Sequence, residues 1–276
     1  MNNFWTRVLT GAVFVIVMVG GMIWNFWSFV LLFSLISLLG LWEFYSLMKE
    51  KINLSKKFIG LLLGIIILLA ACGKYFFHVP DILYSSSFHF IILIFPLFLI
   101  IKLFQPLELF HILSPIIFGI FYVLLPFCFL ILSYSASSYW SFENDSRIIL
   151  GFFILIWSND TFAYLVGRAI GKTKLFERIS PKKTWEGFIG GVICTQGIAY
   201  ILSIYFTELA PIHWFVVAFI VSVLGTLGDL VESMFKRSLG VKDSGNILPG
   251  HGGILDRFDG VLLSSPFVVT YLMMVQ

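Results

Sequence analysis

Long apolar runs recur along the chain and restrict its fold more than any other feature. A membrane-crossing helix needs about 20 apolar residues. Only 12% of the 276 residues are charged, about half the share in a soluble domain. The sequence therefore predicts an all-α polytopic membrane protein, a single domain over residues 1–276, with about nine transmembrane helices. The predicted spans are 8–24, 27–48, 58–77, 85–104, 113–134, 148–168, 186–206, 212–232 and 254–274.

The distribution of basic residues predicts the orientation of these spans. With a cytoplasmic N-terminus, every Lys and Arg except Lys74 and Arg147 falls in cytoplasmic segments or the adjoining helix ends. Cytoplasmic loops are enriched in these residues, so the C-terminus is predicted on the outer side. The run after Arg7 could also indicate a secretory signal peptide. It lacks an A-x-A cleavage site and a second span follows closely, which favours a retained helical hairpin.

Polar residues within the spans concentrate in the second half, so 151–276 is predicted to carry the site and 1–150 mainly scaffold. In the eighth span the spacing of the polar residues places them on one helix face; they are Asp229, Glu232, Ser233, Lys236 and Arg237. A carboxylate inside a membrane is costly and is expected to face protein or water. A solvated helix end with snorkelling cations is the alternative, and it explains the cations better than the carboxylates.

The stretch 242–259, KDSGNILPGHGGILDRFD, predicts a glycine-rich loop running into a helix that begins near Ile254. Glycines allow backbone N–H groups to approach an anion closely. Asp256 and Asp259 could be simple dipole partners of the helix, which explains one aspartate more easily than two. Hard oxygen ligands near such amides suit a magnesium-bound polyphosphate. His251 is expected to hydrogen-bond phosphate or backbone rather than to bind the metal.

The stretch 180–191, SPKKTWEGFIGG, predicts the start of the seventh span. Ser180 is the expected N-cap and Pro181 the first helical residue. Lys182, Lys183 and Thr184 would then crowd the positive end of the helix dipole, which is unfavourable unless an anion binds there. The alternative is ordinary basic flanking sequence of a membrane helix.

An Asn159–Asp160 pair lies inside the sixth span. It indicates a polar pocket or a cation site, and an interhelical hydrogen bond is the alternative. The loops before the seventh span and after the eighth are separated by two spans, so they share a side of the membrane. Asp160, Asp229 and Asp256 all lie near that side. The polar segments are therefore expected to form one cytoplasm-facing pocket where a water-soluble anion meets a lipid.

These segments resemble the phosphatidate cytidylyltransferases, also called CDP-diacylglycerol synthases. The resemblance is strongest over residues 157–260. The first matching segment contains Ser180, Pro181, Lys182, Lys183, Thr184, Glu186 and Gly187. The second contains Ser233, Lys236, Arg237, Lys242, Asp243, His251, Gly252, Gly253, Asp256, Arg257 and Asp259. Trp42-Glu43-Phe44, near the end of the second span, is also similar to the family.

The resemblance implies a reaction in which CTP and phosphatidic acid give CDP-diacylglycerol and pyrophosphate. It implies Mg²⁺ held by Asp229 and Asp256, and it leaves a second cation open, with Asp160 or Asp259 as an extra ligand. Family members are often dimeric, and no nucleic-acid partner is expected. The chain lacks the long hydrophilic N-terminal extension of many eukaryotic members, so we expect a bacterial inner membrane with the active site facing the cytoplasm.

Individual roles follow the resemblance as well. The catalytic residues are expected to be Asp229, Lys236, Arg237 and Asp256. The substrate-binding residues are expected to be Asn159, Asp160, Ser180, Lys182, Lys183, Thr184, Ser233, Lys242, Asp243, His251, Gly252, Gly253, Arg257 and Asp259. Which cation binds which phosphate is left open.

Two other functions are consistent with parts of the pattern. The first is a CTP-dependent enzyme acting on another lipid, such as a polyprenol or phytol kinase or a CDP-archaeol synthase. The second is an ion-coupled transporter with Asp160, Asp229 and Asp256 as cation sites. The carboxylates cluster at one membrane face rather than the midplane, and the sequence has no visible repeat, which disfavours the transporter.

Overall fold

Helices form most of the described chain. The computed structural model describes residues 3–48, 52–72, 95–97, 100–101, 104, 115–135, 145–245, 247, 250 and 252–275. The first helices are α1 (Asn3–Ile23), α2 (Phe26–Leu47) and α3 (Leu54–Cys72). Helix α4 joins Pro115–Gly119, a π-helical turn at Ile120–Leu124, and Leu125–Ser135. The second half holds α5 (Asp145–Ile170), β1 (Lys174–Phe176), β2 (Ser180–Thr184), α6 (Trp185–Tyr205), α7 (Pro211–Ser238) and α8 (Leu255–Met274).

The helices agree with the predicted membrane character. Six of them, α2 to α7, are long and apolar enough to cross a membrane, so the chain is an integral membrane protein. The eight described helices overlap eight of the nine predicted spans. The remaining predicted span, 85–104, lies mostly outside the described residues, which there are 95–97, 100–101 and 104.

A two-stranded ribbon interrupts the otherwise helical fold. Strands β1 and β2 pair antiparallel, with Lys174 opposite Thr184 and Phe176 opposite Ser180. The prediction that Ser180 caps a helix beginning at Pro181 is therefore wrong. Strand pairing takes up this segment, and Thr184 is the actual cap: its Oγ1 accepts the Gly187 N–H at 3.2 Å.

Close backbone approaches hold the second half together. Helix α5 packs against α6, α6 against α7, and α7 against α8. A Cβ atom at Gly187 would lie 2.7 Å from the Ala163 carbonyl oxygen and 3.0 Å from Gly167 Cα. Small residues of this kind allow membrane helices to approach closely. The approach brings the C-terminal half of α5 against the N-terminal turn of α6.

Helix α7 ends in a Schellman motif that redirects the chain toward α8. The Val241 N–H donates to the Lys236 carbonyl at 3.0 Å, and the Gly240 N–H donates to the Arg237 carbonyl at 3.1 Å. Gly240 has φ +68°, the left-handed conformation that this motif requires and glycine adopts most easily. The turn starts the loop that leads to Ile254 immediately after the last basic residues of α7.

Candidate active site

One cavity of about 850 Å³ lies where the polar ends of the second-half helices meet. Its walls come from α5 from Trp157 onward, the C-terminal half of α7, the first residues of α6 and α8, the ribbon, and the middle of α1. A volume of several hundred Å³ is typical of a small-molecule site. The charged lining consists of Asp160, Arg168, Lys182, Lys183, Asp229, Asp256, Arg257 and Asp259.

Apolar side chains also line the cavity. Helix α1 contributes Phe14 and Val15, α5 contributes Trp157, and α6 contributes Phe188. The cavity therefore offers charged groups and an apolar surface to the same occupant.

An accessible ion pair links the ribbon to α7. Lys183 Nζ lies 2.6 Å from Asp229 Oδ2, and the two side chains are 25% and 37% exposed. Lys183 also donates to the Thr226 carbonyl at 3.4 Å, and the Ser233 hydroxyl donates to Asp229 Oδ1 at 3.2 Å. Because both charges line the cavity, an incoming anion or cation can reach them.

Two further ion pairs, largely buried, share the Lys236 ammonium group. Lys236 Nζ is 2.6 Å from Glu232 Oε2 and 2.7 Å from Asp256 Oδ1. The side chains of Lys236, Glu232 and Asp256 are 12%, 1% and 12% exposed. The predicted single polar face of α7 is thus divided: Asp229 lines the cavity, Glu232 is buried, and the exposed Arg237 donates to the Val241 carbonyl at 3.2 Å.

Asp256 organises the loop that precedes α8. Its Oδ2 accepts the Gly253 N–H at 2.8 Å and the Ser244 N–H at 3.2 Å. The first amides of a helix have no intrahelical partner, so the carboxylate does more than complement the helix dipole. It also faces the cavity, and the same side chain therefore connects the loop, Lys236 and the site.

Two carboxylates that do not line the cavity accept hydrogen bonds from segments next to it. Glu43 of α2 accepts the Ile254 N–H at 2.7 Å and a hydrogen bond from the Ser244 hydroxyl. Glu186 of α6 accepts the N–H groups of Lys172 and Thr173, each at 3.1 Å, where the chain enters the ribbon. Neither carboxylate has a role predicted from the sequence. Their only signals were a costly carboxylate in or near a span and the resemblance of both segments to the family.

The Asn159–Asp160 pair is divided between two roles. Asn159 is 2% exposed, and its Nδ2 donates to Thr226 Oγ1 across the helix interface at 3.5 Å. This contact is the interhelical hydrogen bond that the sequence left as the alternative. Asp160 lines the cavity, as the pocket interpretation predicts. Asp259 also lines it, and its Oδ1 accepts the Gly260 N–H at 2.7 Å.

Several predicted site residues do not line this cavity in the described part of the chain. Lys242 and Asp243 are exposed in the loop after α7. Some others touch the site only through a neighbour, as Gly253 does through Asp256 and Ser233 through Asp229. His251 lies outside the described residues. The predicted residues in the described part that do not line the cavity are Asn159, Ser180, Ser233, Lys236, Arg237, Lys242, Asp243, Gly252 and Gly253.

Comparison with known proteins gives a consistent family. Residues 5–275 match the cytidylyltransferase family. Over 148 residues the chain is 47% identical to a phosphatidate cytidylyltransferase of Staphylococcus haemolyticus, 46% identical to one of Staphylococcus aureus and 45% identical to one of Staphylococcus epidermidis. Each match covers 51% of this chain and 56% of the relative, so the chain spans about half the length of the curated relatives it matches.

Proposed function

Because this chain belongs to the cytidylyltransferase family, we propose that it transfers a cytidylyl group from CTP to phosphatidic acid. The products are CDP-diacylglycerol and pyrophosphate, for phospholipid synthesis. The observation that carries this proposal is the composition of the cavity. Its lining combines charged side chains such as Lys183 and Asp229 with apolar side chains such as Phe14 and Phe188, as an anionic nucleotide and a lipid together require.

The proposed reaction is a displacement at phosphorus. A phosphate oxygen of phosphatidate forms a bond to the α-phosphorus of CTP, and the bond from that phosphorus to the bridging oxygen breaks. Pyrophosphate leaves with the electron pair. The attacking oxygen is already an anion, so no general base is required. The main barrier is electrostatic, because two anions must meet.

Cationic side chains lower this barrier in the proposed mechanism. Lys182, Lys183 and Arg257 line the cavity, where they can stabilise the phosphates and the leaving pyrophosphate. Lys236 is buried against Glu232 and Asp256, which supports an indirect role through Asp256. The exposed Arg237 is 4 positions before its hydrogen-bond partner Val241, and its contact supports a role in shaping the loop.

The carboxylates of the cavity fit a magnesium ion that is shared with the substrate. Mg²⁺ often takes one or two protein carboxylates and completes its octahedron with phosphate oxygens and water. Within the described ranges, no group of three His, Cys, Asp or Glu side chains forms a ready metal site, which suits such a shared ion better than an all-protein cage. We propose Asp229 and Asp256 as its ligands, with Asp160 or Asp259 available to a second cation.

When bound, magnesium would neutralise charge on the phosphate oxygens. The oxygens of Asp229 and Asp256 already accept hydrogen bonds from Ser233, Lys236 and Gly253. A carboxylate oxygen has more than one acceptor direction, so these contacts can orient the side chain while it also binds the ion.

The proposal extends to the location of the enzyme. The bacterial relatives support a bacterial inner membrane, and the basic connections at the polar end of the bundle support a site facing the cytoplasm. A homodimer remains a prediction from the family resemblance.

Product analysis with a choice of lipid acceptors tests the proposal. The purified protein in detergent receives labelled CTP with phosphatidate, a polyprenol, or no lipid. The account predicts labelled CDP-diacylglycerol and equimolar pyrophosphate with phosphatidate alone. Product only with the polyprenol would favour a lipid kinase. Lack of any product, together with no protection against heating by CTP and Mg²⁺, would favour the transporter.

A further inference from the structure

Glu43 is a buried carboxylate in a helix of the predicted scaffold. It lies near the C-terminal end of α2 and is 3% exposed. Among the described residues, none of the ion pairs involves it. Burying an unpaired charge is costly unless hydrogen bonds compensate it. The partners that hold this carboxylate therefore indicate what it does.

Those partners belong to the loop that leads into α8. Glu43 Oε2 accepts the Ile254 N–H at 2.7 Å, and Oε1 accepts the Ser244 hydroxyl. The contacts join residues 211 and 201 positions apart in the sequence. One side chain of α2 thus fixes both ends of the segment from Ser244 to Ile254.

Gly245 and Gly253 lie close against the Glu43 carboxylate. A Cβ atom at Gly245 would lie 3.0 Å from Glu43 Cδ, closer than such atoms normally pack. A Cβ atom at Gly253 would overlap Glu43 Oε1. The two glycines therefore provide the space in which the carboxylate lies, and a larger residue at either position would displace it.

Asp256 binds the same two ends of this segment. It accepts hydrogen bonds from the N–H groups of Ser244 and Gly253. Ile254, the residue after Gly253, donates its N–H to Glu43. The Ser244 hydroxyl donates a hydrogen bond to Glu43, and the Ser244 N–H donates one to Asp256. Neither carboxylate can move without disturbing donors that are tied to the other.

We propose that Glu43 is a positioning residue, which sets the place of the Asp256 carboxylate in the cavity through Ser244, Gly253 and Ile254. The inference rests on the proposed function, in which Asp256 is a ligand of the metal. It makes α2 part of the active site rather than only scaffold. A small displacement of a reacting or binding group can cost about 100-fold in rate. The contacts of Glu43 therefore have a large effect at a distance from the chemistry.

Amide hydrogen exchange of the protein without nucleotide or metal tests the inference independently of activity. The variant is Glu43→Gln, which keeps the shape of the side chain. The diagnostic amides are those of Ser244 and Gly253, because they bond to Asp256 and not to residue 43. We expect both to exchange about tenfold faster, as local opening allows, with amides in the middle of α5 unchanged.

Glu208→Gln is the matched control. Glu208 is also a largely buried carboxylate, and it pairs with Arg147 at 2.9 Å, away from the cavity. Its variant is expected to leave exchange at Ser244 and Gly253 at parental rates. Unchanged exchange at these amides in Glu43→Gln would overturn the inference. Faster exchange throughout α5 and α7 would also overturn it, because that pattern belongs to general destabilisation.

Kinetics provide the second readout. If Glu43 positions Asp256, Glu43→Gln is expected to lower kcat by about 10- to 100-fold and to raise the Mg²⁺ concentration for half-maximal rate, with a smaller change in the phosphatidate KM. An unchanged kcat and magnesium dependence would contradict the inference. Failure of the proposed function is distinguishable, since the parent protein would then form no product while the exchange pattern still reports on Glu43.

Ser244→Ala is the variant to use if Glu43→Gln does not fold. It removes only the hydroxyl donor to Glu43 and leaves the amide that bonds to Asp256. The account predicts faster exchange at Gly253 in the same direction, with a smaller effect than in Glu43→Gln. Exchange at Gly253 at the parental rate would count against the positioning role of Glu43.

Discussion

Replacement of Lys236 by Met should destabilise the protein strongly. Its ammonium group lies 2.6 Å from Glu232 and 2.7 Å from Asp256, and these three side chains are 12%, 1% and 12% exposed. Methionine fills a similar volume but leaves both carboxylates without this cation. Breaking a buried ion pair by removing one partner costs about 3–5 kcal/mol, mainly because an uncompensated charge remains. Screening by solvent is weak at these exposures, so the full range applies.

The assay is equilibrium unfolding of the purified variant in detergent, with Lys174→Met as the control. Lys174 is exposed on the ribbon, and such surface substitutions usually change stability by less than about 0.5 kcal/mol. Adding Glu232→Gln to Lys236→Met should recover part of the loss, since it removes one of the buried charges. A loss below about 1 kcal/mol in Lys236→Met, or no recovery in the double variant, would refute the argument from buried charge.

Two further substitutions test the packing of α6 and the anchoring of the ribbon. Gly187→Ala should cost about 1–3 kcal/mol because its Cβ would lie 2.7 Å from the Ala163 carbonyl. Gly197→Ala, where nothing lies within 4 Å, should be neutral or stabilising, and equal melting temperatures for both variants would contradict this. Glu186→Gln should speed amide exchange at Thr173, which bonds to that carboxylate at 3.1 Å, and raise the KM for CTP; parental values of both would count against the anchor.

The helices were predictable because their signal is local. Hydropathy along 20 or so residues identifies a span without knowledge of its neighbours, and the alternating direction of successive spans brings Asp160, Asp229 and Asp256 to one end. The structure lines a single cavity with all three. The resemblance of their segments to one family was likewise confirmed over residues 5–275.

The ribbon was not predictable from the same kind of signal. Ser180-Pro181 is a common helix start, but a strand can also contain a proline at its edge. The deciding interaction is the pairing of Ser180 with Phe176 and of Thr184 with Lys174. Such pairing depends on how the intervening turn folds, so the local pattern gave the wrong start for α6.

The other features that the sequence did not predict are contacts between residues far apart in the chain. Helical spacing placed Glu232 and Lys236 on a face with Asp229, but it could not show that Lys236 turns toward Asp256 on α8. Glu43 accepts a hydrogen bond from Ile254, which is 211 positions away in the sequence. A local sequence pattern cannot predict a contact between residues so far apart. Residue spacing therefore predicted charged groups that line the cavity, while their partners became visible only in three dimensions.

CDP-diacylglycerol formation from labelled CTP and phosphatidate, with and without Mg²⁺, by the parent chain and by Asp256→Asn tests the proposed reaction and the cavity together. Glu177→Gln, which changes an exposed carboxylate of the ribbon turn, serves as the control. The account predicts magnesium-dependent product from the parent and the control, and at least a ~100-fold lower rate for Asp256→Asn. Equal rates for Asp256→Asn and the parent would contradict the assignment of this cavity as the active site.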